Sequence, residues 1–69
     1  MAGDFDWGTA VIAEDTRKHY AEHRYQALGF IDERLYMLIF TPRVDAIHVI
    51  SLRRANQRER TRYATQTQP

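Results

Sequence analysis

Ile-His-Val-Ile-Ser-Leu-Arg-Arg-Ala-Asn-Gln-Arg-Glu-Arg-Thr-Arg-Tyr, residues 47–63, reads as a strand running straight into a helix. Ile47, Val49, Ile50 and Leu52 place apolar side chains on both parities, which predicts an inner strand covered, at least partly, on both faces. Asn56 has N-cap chemistry, and Glu59 three residues later completes a capping-box pattern. Arg53 and Arg54 lie at the junction. A helix N-terminus beside them would offer unpaired N–H groups and a partial positive charge, so the junction is an expected phosphate site. Arg58 and Arg60 fall in the first helical turn, where the dipole disfavours cations. Helix stability does not account for them, and they point to an anionic partner.

Upstream, residues 35–41 (Leu-Tyr-Met-Leu-Ile-Phe-Thr) form the most apolar run in the chain. Its length suits a strand, and its two apolar parities predict a central one. Pro42 ends it, because proline is barred from a ladder interior. Residues 24–30 read as another strand, with Gly29 marking a bulge or the close approach of another backbone. Residues 31–34 have hairpin length without Asn-Gly chemistry. Residues 9–13 predict a short first strand, 14–21 a connecting loop, and 1–8 an arm whose Phe5 and Trp7 dock on the core or anchor a partner. Downstream, the helix is expected over 57–64, with a disordered polar tail at 65–69. Short connections favour an antiparallel meander. The expected fold is α+β: one domain over 1–69, with four antiparallel strands followed by a C-terminal helix.

The chain has 69 residues and no cysteine, so its core is small and neither disulfides nor thiolate metal sites reinforce it. No run approaches the ~18 apolar residues of a membrane span, and no secretory pattern opens the chain. The expected location is the cytoplasm. A net charge of +1 conceals an asymmetry: seven of nine acids lie at or before Glu33, and seven of ten bases at or after Arg34. Nine of the ten bases are arginine, the side chain suited to bidentate contact with phosphate. The halves pair with each other, or the basic half meets RNA or an acidic protein.

Few residues carry chemistry on spacing alone. Glu22 and Arg24 project from one strand face, as a surface ion pair or as a carboxylate base beside a phosphate-holding arginine. His19 and His23 have helical metal-ligand spacing, but no third ligand accompanies them, so no metal or other cofactor is expected. His48 reads as an interior or partner-facing residue. Tyr63 reads as the side chain that fixes the helix to the sheet, with a catalytic or stacking role as the alternative.

Asp15-Thr16-Arg17, Tyr20-Ala21-Glu22-His23-Arg24, Ala27-Leu28-Gly29, Phe40-Thr41, Arg43 and Ile47-His48-Val49-Ile50-Ser51-Leu52-Arg53-Arg54-Ala55-Asn56, with Glu59 and Tyr63 behind them, resemble the BrnT family. BrnT proteins are the toxin halves of bacterial type II toxin–antitoxin pairs. The resemblance runs from about Phe5 to Tyr63. It implies a RelE-like ribonuclease that cuts RNA without a metal and is neutralised by a cognate, BrnA-like antitoxin that carries a DNA-binding domain. By position, Glu22, Arg24, Arg53 and Tyr63 inherit catalytic roles, and Arg43, Arg54 and Arg58 are the expected RNA phosphate contacts. The sequence departs from the family at its front, where an Asp-Pro-x-Lys helical segment and a Lys-His-Gly-Val stretch are usual. His48 stands where arginine is common, and Ala21 where glycine is. These departures support a second reading, a truncated and inactive module that binds an antitoxin-like protein or itself. Because both central strands are apolar on both faces, a homodimer is expected, with Tyr36, Leu38, Phe40 and Ile50 in its interface.

Overall fold

The computed structural model describes residues 2–16 and 22–67. Four strands, β1 (Val11–Glu14), β2 (Tyr25–Ile31), β3 (Arg34–Pro42) and β4 (Ile47–Arg54), precede one helix, α1 (Gln57–Thr67). The strands pair antiparallel in chain order. The expected α+β meander with a trailing helix is therefore the fold.

Element ends differ from the expectation for local reasons. The first strand starts at Val11 because Trp7–Thr9 closes into a 3-10 turn. Asp6 caps that turn: its carboxylate accepts from the Gly8 amide at 3.0 Å and from the Thr9 hydroxyl at 2.9 Å. Ile31 and Arg34 are paired, so the β2–β3 hairpin turns on Asp32 and Glu33 alone. Asp32 supplies the left-handed backbone (φ 56°) that such a turn requires, a conformation aspartate tolerates better than most residues. Pro42 sits in the last pair of β3, opposite Ile47, where a missing donor interrupts no interior ladder. The helix continues past Ala64 to Thr67, whose hydroxyl donates to the Tyr63 carbonyl at 2.7 Å. The polar residues Thr65, Gln66 and Thr67 are thus helical and not tail.

The sheet separates two apolar clusters. On one face Phe5, Ala27, Ile31, Leu38 and Phe40 are buried, with Tyr25, Tyr36 and Leu52 against them. The N-terminal arm covers this face. The Asp6 amide donates to the Phe30 carbonyl at 2.9 Å, and Phe5 is driven beneath it, 5% exposed. Gly29 makes room for the ring, because a Cβ there would stand 2.5 Å from Phe5 Cζ. The expected close approach at Gly29 is real, but the approaching group is an aromatic ring and not a backbone. Trp7 meets Phe5 edge-on at 4.8 Å and Phe40 at 5.4 Å, an arrangement favoured by the ring quadrupoles. On the other face Leu28, Leu35, Met37, Ile39 and Ala55 are buried, with Phe30 and Tyr63 against them. Helix α1 covers this cluster.

β4 corrects the sequence reading. Among the described residues it pairs with β3 alone and forms an edge of the sheet. Ile47, Val49 and Ile50 are 40%, 36% and 36% exposed. The arm reaches Phe40, and the helix runs toward β2 and the start of β1, with Arg62 at Gln26 and Tyr63 at Phe30 and the Thr9 carbonyl, so both lead away from the outer edge of β4. The proposed interface residues divide accordingly. Leu38 and Phe40 are buried within the chain, and Tyr36 is half-buried beside them, whereas Ile50 is open.

Candidate functional site

The sequence offered seven site residues, and the fold distributes them over two ends of the sheet. At the start of β2 and the end of β3, Glu22, Arg24 and Arg43 come together. The Glu22 carboxylate lies between two guanidiniums, with Oε1 3.8 Å from Arg24 Nε and Oε2 3.7 Å from Arg43 Nη1. The backbone fixes both arginines. The Asp15 amide donates to the Arg24 carbonyl at 2.7 Å, and the Arg43 amide donates to the Ala46 carbonyl at 2.7 Å, closing the turn into β4. Arg24 is one residue beyond the Tyr25–Phe40 pair, level with Thr41. Thr41 in turn pairs with His48 on β4. Paired residues in an antiparallel ladder project to one face. Across three strands the register therefore aligns Arg24, Thr41 and His48, with His48 two strand spacings, ~10 Å, from Arg24.

At the far end lie Arg53, Arg54, Arg58 and Tyr63. The strand-to-helix junction there is built around Glu59. Asn56 Oδ1 accepts from the Glu59 amide at 2.8 Å, and Glu59 Oε1 accepts from the Asn56 amide at 3.0 Å, which completes the expected capping box. Arg53 grips the same carboxylate with two parallel bonds, Nη1 to Oε1 at 2.9 Å and Nη2 to Oε2 at 2.8 Å. This bidentate bond is the largest influence holding the Glu59 carboxyl below the usual glutamate range, and the Asn56 amide adds to it. Arg60 donates to the Ala55 carbonyl and to Gln57 Oε1, both at 2.8 Å. Its place in the first turn is thus explained by local bonding, not by an anionic partner. Arg58 is exposed. Tyr63 donates its hydroxyl to the Thr9 carbonyl at 2.9 Å and sets its ring edge-on to Phe30 at 5.4 Å. An open cleft of about 540 Å³ lies between Phe30, Leu35, Arg54, Arg60 and Tyr63.

The two groups are well apart. Arg24 is six residues along the chain from Phe30, on which Tyr63 rests, or ~20 Å at the rise of a strand. Arg53 is opposite Met37, six residues from Arg43. The four sequence-derived catalytic residues thus form two pairs, Glu22 with Arg24 and Arg53 with Tyr63. Between them stands a residue the sequence reading missed. Arg62 on α1 reaches Gln26 of β2, with Nη2 3.4 Å from Oε1. Glu59, Arg62 and Tyr63 share the sheet-facing side of α1, an i, i+3, i+4 pattern that was available in the sequence. Of the two histidines with metal-ligand spacing, His19 lies outside the described residues, and His23 Nδ1 is 3.0 Å from Glu14 Oε2. No group of three or more metal-ligating side chains occurs among the described residues. No helix among them is long and apolar enough to cross a membrane.

A carboxylate held between two arginines at the rim of a sheet is equipped to take a proton while cations hold a phosphate. Comparison with known proteins bears on that chemistry. No curated protein and no solved structure matches the chain significantly. The family model described as "Ribonuclease toxin, BrnT, of type II toxin-antitoxin system" matches residues 1–59. The match contains Glu22, Arg24, Arg43, Arg53, Arg54 and Arg58, and it stops before Tyr63. With most of its length matched, the chain belongs to the BrnT family of ribonuclease toxins of type II toxin–antitoxin systems.

Proposed function

We propose that this chain cleaves RNA at the Glu22–Arg24–Arg43 cluster and is neutralised by an antitoxin. The observation that carries the reading is the placement of Glu22 within 4 Å of both arginines. Glu22 takes the proton from a ribose 2′-hydroxyl, and the oxygen attacks the adjacent phosphorus. Arg24 and Arg43 stabilise the extra charge on the phosphorane. His48, aligned with Arg24 and Thr41 by the register, returns a proton to the departing 5′-oxygen. The products are a 2′,3′-cyclic phosphate and a 5′-hydroxyl, and no step needs a metal. Arg62 and the exposed Arg58 extend a cationic track from the cluster along the helix, suited to a single strand. In this reading Arg53 and Tyr63 act by position: one locks the helix start to β4, and the other locks its middle to the N-terminal arm. A type II toxin is made with a protein antitoxin, and the acidic segment such a partner would need is matched by the same arginines.

The test is cleavage of single-stranded RNA by the purified chain, with EDTA present and the new ends identified. Glu22→Gln and Arg43→Ala are expected to slow cleavage by ~10²-fold or more with an unchanged melting temperature. Arg53→Ala is expected to lower the melting temperature along with the rate. Absence of cleavage by a folded protein that still binds an antitoxin would reject this reading and favour the inactive interaction module.

A further inference from the structure

The outer edge of β4 is unpaired among the described residues. A sheet edge is a row of free N–H and C=O groups, and proteins that do not use one usually blunt it with charged side chains, especially lysine, with proline, with bulges or with very short strands. β4 has eight residues, and neither lysine nor proline lies within it. The register shift opposite Ile39 and Phe40 bends the strand near Ile50, yet Ile47 and Val49 before the bend and Ile50 at it stay more than one-third exposed. The apolar surface continues beyond the edge. Val49 pairs with Phe40, on which Trp7 rests at 5.4 Å, and Trp7 is itself 40% exposed. This surface is on the face covered by the N-terminal arm, opposite α1.

We propose that β4 is a self-association edge, at which two copies of the chain pair antiparallel and join their sheets into one. Charge selects a second copy as the occupant. Asp45 lies two residues before the strand begins, and Arg54 is its last residue. Both are exposed, and neither has an ion pair among the described residues. Antiparallel pairing brings Asp45 of each copy beside Arg54 of the other, twice per dimer. A parallel arrangement would set Asp45 against Asp45 and Arg54 against Arg54. A two-fold axis normal to the sheet also places both Trp7–Val49–Ile47 surfaces on the same side, where they adjoin. Aromatic residues in such central positions tend to dominate association. The pairing leaves the opposite face of each sheet, with Glu22, Arg24 and Arg43, open. It does not depend on the ribonuclease reading.

Sedimentation equilibrium at micromolar concentrations tests the proposal, with the wild type and four variants. Arg54→Glu and Asp45→Arg each put like charges together at two places and are expected to lower the association constant about tenfold. The double variant, Asp45→Arg with Arg54→Glu, exchanges the charges and should recover most of the loss. Val49→Lys should be monomeric and keep the circular dichroism spectrum of the wild type, since a lysine on the open edge can extend its amine into solvent past the half-buried position. Amide exchange at residues 47–52 should slow as concentration rises. A wild type that stays monomeric overturns the proposal. So does a dimer indifferent to these substitutions, or a double variant no stronger than the singles.

Discussion

β3 and β4 lie side by side and are written in nearly the same alphabet. Leu-Tyr-Met-Leu-Ile-Phe-Thr in one and Ile-His-Val-Ile-Ser-Leu in the other are apolar on both parities. In β3 nearly every side chain between its ends is buried, whereas in β4 every residue but Leu52 is more than one-third exposed. The difference lies in what covers them. β3 has a strand on each side, the Phe5 arm on one face and the helix with Ala55 on the other. Among the described residues β4 has one strand neighbour, and it meets the helix at its C-terminal end, through Arg53 and Glu59. Apolar residues on both parities state that two faces need cover, and they do not state whether the same chain supplies it.

The sharpest way to break this contrast is to shorten one side chain in each strand. Leu38 is fully buried, so Leu38→Ala removes methyl groups and leaves a cavity. It should cost ~2–5 kcal/mol in urea denaturation, enough to unfold much of a domain this small. Val49→Ala, measured at a dilution where the chain is monomeric, should cost no more than ~0.5 kcal/mol. Equal losses would mean that β4 is covered within one chain and would remove the basis for the contrast.

Gly29 sharpens the account of how β2 and β3 gain their cover. A methyl group there meets the Phe5 ring 2.5 Å away. The ring is buried and wedged against Trp7, so it can give way only by undocking the arm. Gly29→Ala should therefore cost ~1–3 kcal/mol, with Trp7 fluorescence shifting toward that of exposed indole. In a Phe5→Leu background the additional cost of Gly29→Ala should shrink, because the clash is gone. A full cost in both backgrounds would place the strain in the β2 backbone instead.

Most of the fold was legible in the sequence. The turn residues, the short connections and the capping box all pointed to one meander followed by one helix, and Asn56 and Glu59 bond as that pattern requires. The site was legible only in part. Glu22 and Arg24 are near in sequence, so their pairing was visible at i, i+2 spacing, while their candidate roles came from the family resemblance. Arg43 joins them through the β2–β3 register, which becomes visible once Ile31 and Arg34 are known to close the hairpin. Arg53 was read as a phosphate ligand because helix N-termini attract anions. In the fold the anion at that N-terminus is the chain's own Glu59. A position that could serve a ligand or a cap looks the same until its neighbours are placed. His48 was read as interior or partner-facing, and its alignment with Arg24 and Thr41 depends on a register across three strands that no local pattern reveals.

The smallest effect concerns the joint between β4 and the helix. Removing the cap with Asn56→Ala should cost ~1 kcal/mol, and Arg53→Ala should weaken the same joint. The pH dependence isolates the carboxylate. Glu59 has a lowered pKa in the folded chain, chiefly because Arg53 bonds its ionised form. A lowered folded value means that the unfolded chain takes up the proton first. The stabilisation is therefore complete above the ordinary glutamate value and is lost as pH falls through the lower folded value. Desolvation opposes the shift, but the Glu59 side chain is only 12% exposed, so solvent does little to screen the bond. Stability measured by denaturation from neutral to acid pH should fall more steeply in the wild type than in Glu59→Gln. The two curves should converge at the acid end, where both carry a neutral side chain at residue 59. Parallel curves would show that the Arg53–Glu59 bond contributes nothing through its charge, and that the joint rests on the Asn56 cap, the Ala55–Leu35 backbone bond and Ala55 packing.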